Sequence, residues 1–502
     1  MTKRILMRLG KTPFELADPY RTLDRNLLGT NSGNLIYGAA AHKLFSTEGT
    51  VVEANHYAIN GAMADRVNDE YDAFVLPLAN CFRPDFEDQL RRTADFLERL
   101  RIPFLMLSGG AQLPLDGDTS SLKAMEPTIK RFARAVLDGS SALSVRGEMT
   151  ADYLNSLGFK DVVVVGCPSL ALHGPGHSVD VPGALERGAP IAYNLETKDP
   201  FAAALVADAE QHYRATYIPQ EHGTLEMLLW STDPYESNDP RLPLTRRHPQ
   251  FAGERAEFFI DAHPWIARLS QMAFSFGARA HGNIAAALAG TPSVILAHDS
   301  RTLELARHHG IPHVVRGEGT MPSSVEQLYQ QADFTEFNRG HAERFGILSD
   351  FIHDSGFRHI YDADQEHARL RYEQRIAELE PPRAVRPAWS EDPLRAHQRN
   401  AALHDRETRR KQGQAALRRD IAKKHAQIAR ESAQLASRLD RLEEDLAAAE
   451  RRADAAETRA KALEKRLAAV ARQAGDAHHR AERAVRIPTW LRDAVGRSGR
   501  EH

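Results

Sequence analysis

The chain has 502 residues, of which 42% are hydrophobic and 26% charged, which excludes a wholly disordered protein. At roughly 150 residues per domain the length implies three units. The formal net charge of -3 conceals an asymmetry: residues 401–502 hold 24 Lys/Arg against 16 Asp/Glu, a net of +8, which leaves -11 on residues 1–400.

Over residues 1–340, short apolar runs alternate with longer amphipathic segments. The runs predict strands at Thr50–Ala54, Ala73–Leu76, Pro103–Leu107, Ala142–Val145 and Val162–Val165, then at Ile191–Asn194, Ala215–Ile218, Met272–Phe276 and Ser293–Ala297. Several are apolar on both faces, as buried parallel strands are. Between them, 3.6-residue patterns predict helices at Asp85–Leu100, Ser121–Leu137, Gly147–Leu157 and His281–Ala289. Such alternation implies α/β architecture with parallel sheets. The Gly- and Pro-rich stretch His173–Pro190 reads as a linker between two Rossmann-like halves, residues 1–175 and 176–380. Residues 231–252, with four prolines, read as a long surface loop or lid.

A second linker, residues 381–400, closes the globular part. Residues 401–485 differ in kind. Ile421, Ile428, Leu435, Leu442, Ala449, Ala456, Leu463 and Val470 recur with a seven-residue period. His425, Ser432, Leu439, Leu446, Ala453, Ala460, Leu467 and Ala474 each follow four residues later. This 4–3 alternation is a coiled-coil seam, roughly 80 Å long at 1.5 Å per residue. Residues 486–502 form a basic tail in which Ile487, Trp490, Leu491 and Val495 stand among arginines, a pattern open to peripheral contact with an anionic membrane.

Cys81 and Cys167 stand far apart, so neither a disulfide framework nor a zinc-type spacing is expected. The opening MTKRILMRLGKTPFEL has too short an apolar run for a signal peptide. No stretch approaches ~18 uninterrupted apolar residues. The expected compartment is the reducing cytoplasm, peripheral at the inner face of the membrane if the tail docks there.

The window Met272–Leu305 carries the most chemistry. A strand ends near Gly277, Arg279 and His281 follow in a tight turn with Gly282 and Asn283, and a helix of small residues begins. That order puts the Arg-x-His pair at the carboxyl edge of a parallel sheet, beside free N–H groups of a helix start. Asp299, Ser300 and Arg301 repeat the arrangement one strand later. Arginine binds carboxylate or phosphate through paired hydrogen bonds, and histidine exchanges a proton near neutral pH. Three further turns have ligand-binding character: Asn31-Ser32-Gly33-Asn34 before a helix, Gly109-Gly110 after a buried strand, and Arg146 at a strand end in SVRGE.

Together these windows resemble the polysaccharide pyruvyl transferase family, over about Asn31 to His313. The carriers are Asn31-Ser32-Gly33-Asn34, the SVRGE–LNSLG unit, the run VVVVGCPSL, and above all Arg279-Ala280-His281-Gly282 with AGTPSVIL. The resemblance implies a GT-B-like fold, two Rossmann-like domains facing a cleft. It also implies transfer of pyruvate from phosphoenolpyruvate to a sugar as a ketal, with Arg279 and His281 as the catalytic pair. Two departures stand out. The family's first turn commonly reads Asn-x-Gly-Asp, and Asn34, an amide with no base function, holds the Asp place. Arg301 stands where the family often has Lys.

The expected scheme needs no metal and no cofactor beyond the donor. Its expected partners are phosphoenolpyruvate, a glycan or lipid-linked saccharide acceptor and, through the coiled coil, further copies of the chain; nucleic acid is not among them. Two alternatives stay open. One is a GT-B nucleotide-sugar glycosyltransferase, whose His-Gly…Glu segment HGNIAAALAGTP resembles, although Ala286 fills the ribose-binding Glu place. The other is a non-catalytic coiled-coil scaffold of a polysaccharide assembly system.

Overall fold

Apolar runs that are buried on both faces build two parallel sheets. In the first, β1 (Lys3–Met7), β2 (Thr50–Ala54), β3 (Ala73–Pro77) and β4 (Phe104–Leu107) lie in the order β2-β1-β3-β4. The short pair β5 (Leu143–Val145) and β6 (Val162–Val164) adjoins them through a bridge between Gly109 and Val145. In the second, β7 (Pro190–Asn194), β8 (Arg214–Tyr217), β9 (Phe274–Gly277), β10 (Ser293–Ala297) and β11 (His313–Val315) lie in the order β11-β10-β9-β7-β8. Every strand pairing is parallel. The α/β class with two Rossmann-like sheets, a GT-B-like plan, is therefore the observed one. This computed structural model describes residues 2–196, 202–235, 239–253, 255–319, 321–390 and 393–484. The expected basic tail, 486–502, lies outside the described residues.

β1 and β11 add to the expected strands. β1 is easily overlooked because its sequence, KRILM, opens with two cations. Arg4 pairs with Glu53 of β2 at 2.9 Å, while Ile5, Leu6 and Met7 are buried between β2 and β3. Its burial makes β1 a central strand, and its carboxyl end opens into the site described below.

Residues 1–406 form one compact unit, so both halves share it. The connection after the 168–173 turn is pinned rather than loose: Asn338 bonds both the N–H and the C=O of Val179, each at 2.9 Å. The 335–380 region, expected in the second half, returns to the first. The helix Thr335–Asp354 presents Phe345, Leu348, Phe351 and Ile352 to a cluster with Ile5, Met7, Val75 and Leu105. It shares that face of the first sheet with Ala41, Leu44 and Phe45 of the Gly33–Phe45 helix. The expected 231–252 loop is also anchored: Leu242, Leu244 and Phe251 are buried, and Phe251 meets Tyr217 edge to face with centroids 6.0 Å apart.

The helix Pro393–Ala484 runs for 92 residues. It begins inside the segment expected as a 381–400 linker, and the second unit starts at Glu407. Its seam residues, such as Leu435, Leu439 and Leu442, are exposed. Among the described residues, no helix is long and apolar enough to cross a membrane. Cys81 and Cys167 are buried free thiols.

Candidate active site

Parallel strands deliver their following residues to one edge, and here both sheets do so at a shared cleft of about 230 Å³. Arg8 follows β1, Asn80 and Arg83 follow β3, and Arg146 follows β5. Gln220 follows β8, Arg279 and His281 follow β9, and Arg301 follows β10. Asn31, Asn34, Tyr57 and Phe86 complete much of the wall. Five arginines thus line one cleft in a body whose net charge is negative.

The arginines differ in how they are held. Arg279 is a paired residue: it meets Glu196 at 3.0 Å and Glu221 at 2.5 Å, and its N–H is fixed by Asn194 Oδ1 at 2.7 Å. Arg301 Nε donates to Asp299 Oδ2 at 2.7 Å. Arg146 is 4% exposed, and its buried Nε and Nη2 have no hydrogen-bond partner among the described residues. Arg8 Nε is likewise buried and unpartnered, with its guanidinium over the rings of Tyr57 (4.9 Å) and Phe86 (5.9 Å). Burial pushes the Arg8 guanidinium below its ordinary range. A buried cation without a partner costs stability unless an anion arrives. The amide of Gln220, 1% exposed, also has both side-chain polar atoms unpartnered at the cleft wall.

His281 stands beside Tyr37 and has its Nε2 3.7 Å from the Cys167 sulfur. Burial first, and then the positive charge of Arg146 and Arg301, pushes it down to about 3. The imidazole is thus neutral at pH 7. Burial raises the Cys167 thiol, so it stays protonated beside the ring. Behind Arg146, burial raises the Glu304 carboxyl to about 7, and Thr150 donates to it from both N–H (3.0 Å) and Oγ1 (2.9 Å).

Of the residues singled out in the sequence, Asn31, Asn34, Arg146, Arg279, His281 and Arg301 line the cleft. The others support it. Asn34 donates its amide hydrogens to Leu28 O (2.8 Å) and Thr30 Oγ1 (3.2 Å), which closes the turn before the Gly33–Phe45 helix. Ser32 is buried, its N–H on Gln220 O. Gly33 is required by close approach: a Cβ there meets His281 Cβ at 2.7 Å. Gly277, at φ +151, leaves no room for a Cβ against Asn194 O and turns the chain toward Arg279. Gly109 and Gly110 lie under Cys81 and Arg146 rather than at the cleft wall, and Gly282 packs on Asn194 and Gln220. Asn283 is fully buried and bonds Gly277 O at 2.9 Å.

Asp299 and Ser300, expected as ligand groups, are committed elsewhere. Asp299 caps the Ser300–His309 helix by accepting from the Thr302 N–H, so this helix start does not offer that group to an anion. The Ser300 hydroxyl accepts from Leu113 N at 2.9 Å and donates to Ala111 O at 3.1 Å, tying the second sheet's edge to the first. The start of the Ala280–Leu288 helix, by contrast, has no side-chain cap. Arg8, Arg83, Tyr57, Gln220, Glu196 and Glu221 escaped the sequence reading. The available signal was position, one to a few residues past a strand end, and for Arg8 it depended on recognising β1.

Among the described residues, His353, His359 and Asp362 bring metal-binding atoms within 4.8 Å of one another, away from the cleft. The His359 Nδ1 accepts the Tyr361 N–H at 3.2 Å, which leaves the ring proton on Nε2, facing Asp362 Oδ1. The group is satisfied as a hydrogen-bond network.

Comparison with known proteins agrees with the resemblance seen in the sequence. Residues 82–300 match the family described as polysaccharide pyruvyl transferase, a description of a transferase acting on polysaccharide. No curated protein matches the chain. Solved structures similar to it include UDP-GlcNAc 2-epimerase from Methanocaldococcus jannaschii in complex with UDP-GlcNAc and UDP, at 10% identity, covering 70% of this chain and 99% of that one, with TM-score 0.37. The S. aureus MnaA–UDP structure is similar at 11% identity, 76% and 99% coverage and TM-score 0.35. The glycosyltransferase SnogD from Streptomyces nogalater is similar at 12% identity, 75% and 100% coverage and TM-score 0.29.

Proposed function

We propose that this chain transfers pyruvate from phosphoenolpyruvate to two hydroxyls of a glycan, forming a cyclic ketal. The observation that carries the reading is Arg146, a buried guanidinium with unpartnered Nε and Nη2 in a cleft shared with Arg301 and His281. Such a cation calls for a compact, multiply charged anion. The family matched over residues 82–300 supplies the reaction class.

In this reading the donor's phosphate and carboxylate lie against Arg146, Arg301 and the uncapped start of the Ala280–Leu288 helix. Arg279, neutralised by Glu196 and Glu221, positions the turn that holds His281. His281 is held neutral by burial and the two arginines, and the donor's negative charge offsets those arginines, so donor binding raises its affinity for a proton. The imidazolium then protonates the donor's methylene carbon. The adjacent carbon becomes an oxocarbenium centre, stabilised by the bound phosphate and carboxylate. One sugar hydroxyl adds there, inorganic phosphate departs, and the second hydroxyl closes the ketal. The two hydroxyl protons end on the new methyl group, by way of His281, and on the released phosphate. No step requires Asn34 to act as a base. The acceptor lies toward Tyr57 and Phe86, whose rings carry the Arg8 and Arg83 guanidinium groups, so cationic donors face the sugar hydroxyls there.

Titration calorimetry distinguishes this from nucleotide-sugar transfer. Phosphoenolpyruvate is expected to bind with micromolar affinity, and UDP-sugars are expected to show no heat of binding. Saturable UDP-sugar binding with none for phosphoenolpyruvate overturns the proposal. Ala286 favours the expected result, because it is fully buried in the helix interior and offers no acceptor to a ribose.

A further inference from the structure

The heptad seam of the second unit is exposed along its length, with Leu442 at 67% and Leu467 at 72%. The residues that flank it identify what covers it. With the Ile421 series at d and the His425 series at a, position e holds Glu443, Glu450, Glu457 and Glu464. Position g holds Arg438, Asp445, Arg452, Arg459 and Arg466. One flank is acidic and the other mainly basic over the same stretch, residues 438–466.

In a parallel, in-register pair, each g residue faces e of the partner's next heptad. Arg438 then meets the partner's Glu443, Arg452 the partner's Glu457, and Arg459 the partner's Glu464. Symmetry doubles each pair. Asp445 against Glu450 is the unfavourable match. In an antiparallel pair, e faces e and g faces g, which sets the four glutamates against one another and arginine against arginine. The number of strands follows from the core. Ala449, Ala453, Ala456 and Ala460 are four successive core positions. Two helices can close on alanine, whereas the wider core of three or four leaves a void there.

We infer that residues 407–484 bind a second copy of this chain as a parallel, in-register, two-stranded coiled coil. Pairing in register brings the amino-terminal ends of the two 407–484 segments together. The inference stands whether or not the proposed chemistry is correct.

The full-length chain tests it. Sedimentation equilibrium is expected to give twice the 55.9 kDa of one chain. Leu446→Cys is expected to form a disulfide-linked dimer under mild oxidation, because equal a positions meet in register; the buried Cys81 and Cys167 do not compete. Changing Arg438, Arg452 and Arg459 to Glu is expected to weaken dimerisation roughly 100-fold. Adding Glu443→Arg, Glu457→Arg and Glu464→Arg to that variant is expected to restore it. A monomer, a trimer or a tetramer overturns the inference. So does a dimer in which Leu446→Cys fails to cross-link, or in which charge reversal leaves association unchanged.

Discussion

Replacing Arg146 with Met is expected to lower kcat/KM for phosphoenolpyruvate about 1,000-fold, while the protein stays as stable as before or gains stability. The activity loss follows from hydrogen bonds to a charged ligand, worth about 1.5–3 kcal/mol each. Losing two removes about 4 kcal/mol, and about 1.4 kcal/mol is a factor of ten. The stability effect has the opposite sign because the guanidinium is 4% exposed with two unpartnered nitrogens. Removing a buried charge with two nitrogens left unbonded relieves its desolvation. Glu304, which the positive charge of Arg146 holds down, would take up a proton more readily, and its carboxyl remains bonded to Thr150. Steady-state kinetics and urea denaturation check both halves. Wild-type kcat/KM contradicts the donor-site role. A large stability loss with unchanged activity makes Arg146 a structural residue.

The folded chain is expected to lose stability steeply as pH falls from 7 to 5, by roughly 3 kcal/mol per pH unit in the middle of that range. Burial, first among the causes in each case, pushes His42, His263 and His308 down to about 4 and His281 to about 3. His309 is held well below its ordinary value. These groups stay neutral in the fold and become charged when the chain unfolds, so the unfolded state binds more protons between about 4 and 6.5. Stability therefore rises with pH across that window and is lost on acidification. Glu304, Glu221 and Asp261, raised by burial, act in the opposite direction, but they are outnumbered: besides these five histidines, burial pushes His173 down to about 4 and lowers His177, His222, His248, His341 and His359. With total stabilities of about 5–15 kcal/mol typical of globular proteins, unfolding near pH 5 is expected. Urea midpoints measured from pH 7.5 to 5 check this, and a flat profile contradicts it.

The features legible in the sequence were those with a local signal. Buried strands announce themselves as short apolar runs, so β2, β3 and β10 fall at their expected places. The Arg279–His281 turn was legible because Gly277 and Gly282 frame it between a strand and a helix. What escaped depends on contacts between distant segments. Nothing near Arg279 foretells that Glu196 and Glu221, from the ends of β7 and β8, neutralise it. Nothing near Ser300 foretells that its hydroxyl is spent on Ala111 and Leu113. Arg8 was hidden by the two cations that open β1. The return of the Thr335–Asp354 helix to the first sheet is likewise a tertiary choice: its apolar stripe is legible, its partner is not. The body's charge of -11 and its cationic cleft are compatible because carboxylates elsewhere set the total, while Arg146 keeps two buried nitrogens without a hydrogen-bond partner among the described residues.

The most direct test of the central claim is mass spectrometry of a glycan precursor incubated with the protein and phosphoenolpyruvate. The account predicts a product heavier by one pyruvate less one water, released phosphate in equal amount, and loss of both on His281→Ala. Phosphoenolpyruvate left intact beside a panel of glycans, or phosphate released with no change in glycan mass, contradicts it.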